Sequence, residues 1–173
     1  MKKIVIIGPE STGKSTLAME LAQHYQTVWV EEYARRYLLK NGMNYTYDDL
    51  LTIAKGQVEL EEEAARNIKN EMLFIDTDMY VMKVWCEFVF SKCHTWILNQ
   101  VVQQNYDLYL LCNTDLPWVK DELREYPDLE NRELLYHIYK DIMINQSVPW
   151  IDISGNYTQR LKKAIQGINE HLL

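Results

Sequence analysis

Two rhythms of hydrophobic and polar positions alternate along this chain. Short, dense apolar runs suit strands, and between them apolar residues recur every three to four positions, as on one face of a helix. The first run, Lys3 to Ile7, is filled by Ile4-Val5-Ile6-Ile7 and predicts a strand buried on both faces. Ser15 to Gln23 follows with Leu17, Ala18, Leu21 and Ala22 at helical spacing. Thr27 to Val30 predicts a second strand, and Tyr33 to Lys40 a helix closed by Asn41-Gly42. Tyr47 to Lys69 is one long helical pattern carrying Leu50, Leu51, Ile53, Ala54, Val58 and Ala65. Its Glu59, Glu61, Glu62 and Glu63 predict a solvated face. Met72 to Ile75 predicts a third strand, and Tyr80 to Phe90 and Thr95 to Gln104 two helices. Leu108 to Cys112 predicts a fourth strand, followed by a charged connection from Lys120 to Asn131. Glu133 to Ile144 is helical, with Leu134, Leu135, Ile138 and Ile142 on one side. Pro149 to Ile153 predicts a fifth strand, and Ser154-Gly155-Asn156 turns into a last helix over Tyr157 to Leu172.

Strands alternating with helices predict an α/β fold, a five-stranded parallel sheet with helices on both faces, formed by residues 1–173 as one domain. Ligands in such sheets bind beyond the carboxyl ends of the strands. Four strand ends here carry polar groups: Gly8 onward, Glu31-Glu32, Asp76-Thr77-Asp78 and Asn113-Thr114-Asp115.

The first of these ends is the most informative. Gly8-Pro9-Glu10-Ser11-Thr12-Gly13-Lys14-Ser15 reads G-x-x-x-x-G-K-S, the phosphate-binding loop pattern, with a predicted strand before it and a predicted helix after it. The glycines let the backbone turn tightly and bring its N–H groups against phosphate oxygens. The helix start adds free N–H groups and a positive dipole end. Lys14 reaches the β- and γ-phosphates, and the Ser15 hydroxyl ligates Mg²⁺. The expected ATP contacts are Gly8, Glu10, Ser11, Thr12, Gly13, Lys14, Ser15 and Thr16, with Gly155 and Asn156 at the turn after the fifth strand.

Composition narrows the partners. The chain has 173 residues and 47% hydrophobic content, enough for a sizeable core. Its net charge of -7 argues against a nucleic-acid face, which is usually basic, but not against ATP. No apolar run approaches the roughly 18 residues that span a membrane. The N-terminal apolar run stops at Gly8, unlike a secretory signal. Cys86, Cys93 and Cys112 lack paired spacing and read as reduced thiols in a cytoplasmic protein.

Phosphoryl transfer to a hydroxyl also needs a metal-holding carboxylate, a base near the acceptor, and cations over the migrating group. Asp76 closes the third strand, the place of the Mg²⁺ carboxylate in phosphate-loop enzymes, although Asp there also suits a helix cap. Glu32, at the end of the second strand, and Asp78 compete as the base. Arg35 and Arg36 follow Glu32, and either can neutralise substrate or phosphate charge. Arg124 and Arg132 flank the charged connection, which predicts a mobile lid around 115–132 that closes over the phosphates. Tyr33, Tyr80, Trp85 and Trp96 lie where an acceptor would sit, and a stripe of this kind equally suits a core.

Four blocks together carry a resemblance: G-P-E-S-T-G-K-S, Glu32-Tyr33-Ala34-Arg35, Phe74-Ile75-Asp76-Thr77-Asp78, and Trp118-Val119-Lys120-Asp121-Glu122-Leu123-Arg124. They resemble the nicotinamide riboside kinase domain of the bacterial trifunctional regulator of NAD biosynthesis, over nearly the whole chain. The resemblance implies a nucleoside- and nucleotide-kinase-like fold of the P-loop NTPase class. It implies ATP and Mg²⁺ as cofactors and phosphorylation of the riboside 5′-hydroxyl to nicotinamide mononucleotide. The site residues expected are Lys14, Glu32, Asp78, Arg124 and Arg132 for catalysis, Ser15 and Asp76 for the metal, and Glu32, Tyr33, Arg35, Asp78, Tyr80 and Trp85 for a nucleoside substrate. The DNA-binding and adenylyltransferase roles of the full regulator are not carried over. A slow regulatory ATPase and a kinase for another nucleoside stand as alternatives, and a homodimer is left open.

Overall fold

The computed structural model describes residues 1–120, 123–125 and 127–173. The chain builds β1 (Lys2–Ile7), α1 (Lys14–His24), β2 (Trp29–Val30), α2 (Tyr33–Asn41), α3 (Tyr47–Asn67) and β3 (Met72–Asp76). It continues with α4 (Met79–Phe90), α5 (Thr95–Gln103), β4 (Leu108–Cys112), α6 (Leu129–Asn145), β5 (Trp150–Ile153) and α7 (Tyr157–Leu172). The strands form one sheet in the order β2-β3-β1-β4-β5, and every strand pair is parallel. This is the expected α/β nucleotide-kinase-like fold. β1 lies at the centre, so the loop that leaves it emerges between the ends of β3 and β4.

Strand residues alternate between two cores because successive side chains point to opposite faces. On one face Ile4, Ile6, Phe74, Leu108, Leu110 and Ile153 meet Leu17, Leu21, Ala164 and Ile168 of α1 and α7. On the other, Val5, Ile7, Leu73, Ile75, Tyr109 and Leu111 meet Val81, Val84, Leu135, Tyr139 and Met143 of α4 and α6. A third cluster joins α2, α3, α4 and α5 without sheet residues, through Ala34, Leu38, Leu50, Ile53, Met82, Cys86 and Ile97. That helical layer overhangs the carboxyl ends of β2 and β3 and supplies one wall of the cavity described below. Among the described residues no helix is long and apolar enough to cross a membrane.

Most element boundaries fall within two residues of the expected ones, and two local readings are corrected. α6 starts at Leu129, four residues before the expected Glu133, because Asp128 caps it by accepting the Asn131 N–H at 2.8 Å. Part of the predicted connection is therefore helix, and its Asp121, Glu122 and Tyr126 lie outside the described residues. Glu61 leaves the solvated face expected for α3. It accepts from Lys3 Nζ at 2.8 Å and from the Tyr106 hydroxyl at 2.8 Å, tying α3 to β1 and to the start of β4. Glu59, Glu62 and Glu63 are exposed as expected.

Gly56 explains how closely α2 and α3 pack. A Cβ on Gly56 would sit 2.3 Å from Tyr33 Cε1. Replacing glycine by alanine inside a helix ordinarily gains about 1 kcal/mol. Here Gly56→Ala is expected to lose about 1–3 kcal/mol instead, since the ring must leave its place. Urea unfolding checks this: the midpoint should fall at unchanged slope. A raised midpoint would show that Tyr33 is free to swing aside.

Candidate active site

The turn from β1 into α1 is built on backbone conformations that few side chains adopt. Gly8 has φ +139, and a Cβ there would lie 2.7 Å from the Cys112 carbonyl oxygen of β4, so only glycine fits. Ser11 and Gly13 follow in the left-handed region at φ 56 and φ 78. Gly13 stands at the N-cap of α1 and offers no capping side chain, which leaves the first N–H groups of that helix to face the loop. Within the loop, the Thr12 hydroxyl and Lys14 Nζ both donate to Pro9 O, at 2.7 and 2.9 Å. The result is a concave row of backbone donors suited to an anion.

The loop forms one end of a cavity of about 250 Å³. All of Gly8 to Thr16 lines it, including Glu10, Ser11, Thr12, Gly13, Lys14 and Ser15. Its other end is largely apolar. Val81, Val84, Trp85 and Phe88 of α4, spaced i, i+3, i+4 and i+7, form one wall, and Leu135 and Tyr139 of α6 form another. Ala34, Leu38 and Met43 close the α2 side. Trp85 donates from Nε1 to the Tyr45 hydroxyl at 3.0 Å, which fixes its ring.

Three carboxylates were candidates for chemistry, and the structure separates them. Asp76 is fully buried, and its Oδ2 accepts from the Ser15 hydroxyl at 2.5 Å. Burial first, and then the neighbouring Glu32, push it up to about 6, against Lys14, which lowers it. A cation beside it would hold it ionised. Two hard oxygen donors in contact, next to a phosphate loop, fit Mg²⁺, which draws its remaining ligands from water and phosphate. Among the described residues no group of three or more His, Cys, Asp or Glu could hold a metal ion alone.

Asp78, expected as a candidate base and substrate contact, lies off the cavity wall. Thr77 between the two aspartates has φ 78, an outlier for a β-branched residue, and this kink sends Asp78 away from Asp76. Asp78 caps α4 by accepting the Val81 N–H at 3.2 Å, and its other oxygen accepts the Tyr109 hydroxyl at 2.8 Å. It is buried and does not line the cavity. Burial pushes it up to about 7. Glu32 does line the cavity. It occupies the N-cap position of α2, yet its side chain makes no capping bond. A buried residue missed in the sequence, Gln57 of α3, sets its place. Gln57 accepts the Tyr33 N–H at 2.7 Å and donates to Glu31 O and Asp76 O, both at 3.3 Å, so the end of β2 is stapled to the end of β3.

The cations divide in the same way. Lys14, Arg35 and Arg124 line the cavity, and Arg124 donates to Val119 O. The lid segment meets the loop directly: Val119 N–H donates to Ser11 Oγ at 2.9 Å and Glu125 N–H to Glu10 Oε2 at 3.1 Å. Arg132, expected among the catalytic groups, is buried against the loop, near Glu10 and Arg124, and is not itself on the cavity wall. Gly155 and Asn156 are also not on the cavity wall. Gly155 donates to Asp115 Oδ2 at 2.5 Å, and Asn156 caps α7 in a capping box with Gln159. The next residue, Tyr157, takes the place on the wall, beside Gly13. Of the expected aromatics only Trp85 lines the cavity. Tyr33 packs on Gly56 and under Arg36, Tyr80 packs on Tyr109, and Trp96 packs in the helical cluster. Phe88 and Tyr139 were missed; for Phe88 the i, i+3, i+4, i+7 stripe of α4 was the available signal.

A family profile described as an AAA domain matches residues 3–160. The trifunctional NAD biosynthesis/regulator protein NadR of Salmonella typhimurium is 25% identical over 175 residues, covering 98% of this chain and 42% of NadR. NadR of Escherichia coli matches with the same identity and coverage. The chain thus spans less than half the length of these relatives. Among solved structures, a NadR protein in complex with NR superposes with a TM-score of 0.82 at 21% identity, over 98% of this chain and 51% of that one. A NadR protein in complex with NAD and AMP-PNP gives a TM-score of 0.73 at 22% identity, over 98% and 49%. At these identities the structures speak for a shared fold.

The two raised aspartates make stability depend on pH. Both bind a proton more tightly in the folded protein than at the ordinary value of 3.8. Their contribution is therefore complete below about pH 4 and is lost as pH rises through about 6 and about 7. Asp78→Asn is expected to flatten that decline, so that the variant gains on the parent protein as pH rises. Urea unfolding at pH 4, 6 and 8 in metal-free buffer checks it. An identical decline in both proteins would place the titration elsewhere.

Proposed function

This chain belongs to the AAA domain family, and on that footing we propose that it is an ATP- and Mg²⁺-dependent kinase of a nucleoside. The proposed reaction transfers the γ-phosphoryl group of ATP to the 5′-hydroxyl of nicotinamide riboside, giving nicotinamide mononucleotide and ADP. The observation that carries the reading is one cavity lined by Lys14 and Ser15 of the loop, by the Glu32 carboxylate, and by an aromatic, apolar set of side chains. A hydrolase needs only room for water at the γ-phosphate. A recess walled by Trp85, Phe88 and Tyr139 suits a ring-bearing acceptor. The NadR relatives support the choice of acceptor. So does chemistry, since the pyridinium ring of nicotinamide riboside is cationic, and aromatic faces and a carboxylate favour a cation.

The roles follow from position. The loop N–H groups and Lys14 hold the β- and γ-phosphates. Ser15 and Asp76 would hold Mg²⁺, which supplies charge neutralisation on the phosphate oxygens. Glu32 accepts the proton of the 5′-hydroxyl while that oxygen bonds to phosphorus and the bond to the leaving ADP oxygen breaks. Arg35 and Arg124 face the same cavity and neutralise phosphate charge. The segment 115–132 acts as the lid, and the Ser11 and Glu10 contacts are its seat on the loop. We place the activity in the cytoplasm, with no nucleic-acid partner.

ADP release measured against a nucleoside panel tests the proposal. Turnover should depend strongly on acceptor, with a higher kcat/KM for nicotinamide riboside than for uridine, cytidine or thymidine. Steady hydrolysis indifferent to all acceptors would instead mark a regulatory ATPase. Glu32→Gln should lower kcat by about 10²–10⁴-fold while leaving ATP affinity close to that of the parent. Lys14→Ala should abolish turnover in a folded protein, read by the same assay beside circular dichroism.

A further inference from the structure

Two buried guanidinium groups lie behind the phosphate loop, one in the first turn of α6 and one in the first turn of α7. Arg132 is 3% exposed and donates from Nη2 to Ser11 O at 3.2 Å and to Leu116 O at 3.1 Å. Arg160 is 2% exposed and uses its whole fork. Nη1 donates to Thr12 O at 2.8 Å, Nε to Gly155 O at 2.7 Å, and Nη2 to Asn113 O at 2.9 Å and to the Asp115 carboxylate. Neither side chain lines the cavity. Both break ordinary rules of stability. A cation in the first turn of a helix opposes the helix dipole, and a buried cation costs free energy. Arg132 Nε is buried with no hydrogen-bond partner among the described residues. Violations of this kind concentrate where function requires them.

Their acceptors explain the placement. Ser11 O and Thr12 O are successive carbonyls of the loop, and no peptide bond among the described residues is cis. In a trans peptide the C=O and the following N–H point in opposite directions. Drawing these two carbonyls to the rear therefore turns the N–H groups of Thr12 and Gly13 forward, and both residues line the cavity. The same grip holds Ser11 at φ 56, a conformation that costs about 1–3 kcal/mol for a residue other than glycine. We propose that Arg132 and Arg160 are positioning residues for the nucleotide phosphates, aiming the Thr12 and Gly13 N–H groups by holding the Ser11 and Thr12 carbonyls from behind. Arg160 also ties the loop to the turns that follow β4 and β5, so three strand ends move as one body. The inference rests on the reading that this loop binds nucleotide phosphate.

Arg132→Lys and Arg160→Lys keep the charge and lose the planar fork. Each folded variant is expected to bind inorganic tripolyphosphate about 10-fold more weakly, by calorimetry, with adenosine affinity unchanged. Turnover should fall about 100-fold. Unchanged tripolyphosphate affinity, or an equal loss for adenosine, would overturn the proposal. A measurement on the unaltered protein guards against variants that do not fold. Labelling with [¹⁵N]glycine gives six amide signals, and that of Gly13 should shift on adding tripolyphosphate far more than those of Gly42 and Gly167. Tripolyphosphate binding without a Gly13 shift would overturn the positioning role and leave the functional reading intact. No binding of ATP or tripolyphosphate would overturn both.

Discussion

The turn between β1 and α1 has to present several backbone N–H groups to one cavity, and that requirement governs its surroundings. Backbone donors facing a common point cannot be satisfied by a regular helix or sheet ladder. The chain meets this with positive φ at Gly8, Ser11 and Gly13, of which the non-glycine Ser11 needs support from outside the turn. The support comes from every neighbouring strand end. β4 comes so close at Cys112 that no side chain fits on Gly8, α6 and α7 hold the loop carbonyls, and β3 brings Asp76 against Ser15. The parallel sheet, with β1 at its centre, is the arrangement that puts these supports within reach.

Electrostatics then assigns different work to similar groups. Asp76 and Asp78 are two residues apart and equally buried, and burial raises both. One faces a hydroxyl and a lysine at the loop, and the other faces a tyrosine hydroxyl and a helix N-terminus. Between them stands Thr77 in the left-handed conformation. The arginines divide likewise. Arg124 and Arg35 meet the cavity, whereas Arg132 and Arg160 act on the backbone that forms it. A chain of net charge -7 thus buries two cations against the loop.

The apolar side of the cavity follows a separate logic. It is made mainly by helices, from the α4 stripe, α2 and the inner face of α6, with Met43 from the turn after α2. Part of that wall, Ala34, Leu38 and Trp85, packs in the helical cluster, and part, Val81, Val84, Leu135 and Tyr139, packs on the sheet. The phosphate end admits little change, since its geometry is fixed by backbone contacts.

The sequence by itself determined the sheet, the loop and the place of Asp76 beside it. β-branched runs such as Ile4 to Ile7, helical spacing in α1, and the G-x-x-x-x-G-K-S pattern are local signals, each set by a few neighbouring residues. Asp76 was legible because strand ends converge in a parallel sheet. Glu32 and Asp78 were indistinguishable at that level, and so were Tyr33, Tyr80 and Trp85. Each pair or trio shares residue type and a place near a strand end. Their side chains were sorted by contacts across the fold: Gln57 to Glu31 and Asp76, Tyr109 to Asp78, and Gly56 to Tyr33. Arg160 carried no local signal at all, for its acceptor Thr12 lies 148 residues away. Which face a residue turns toward is a property of packing between distant segments, and only the tertiary structure decided it.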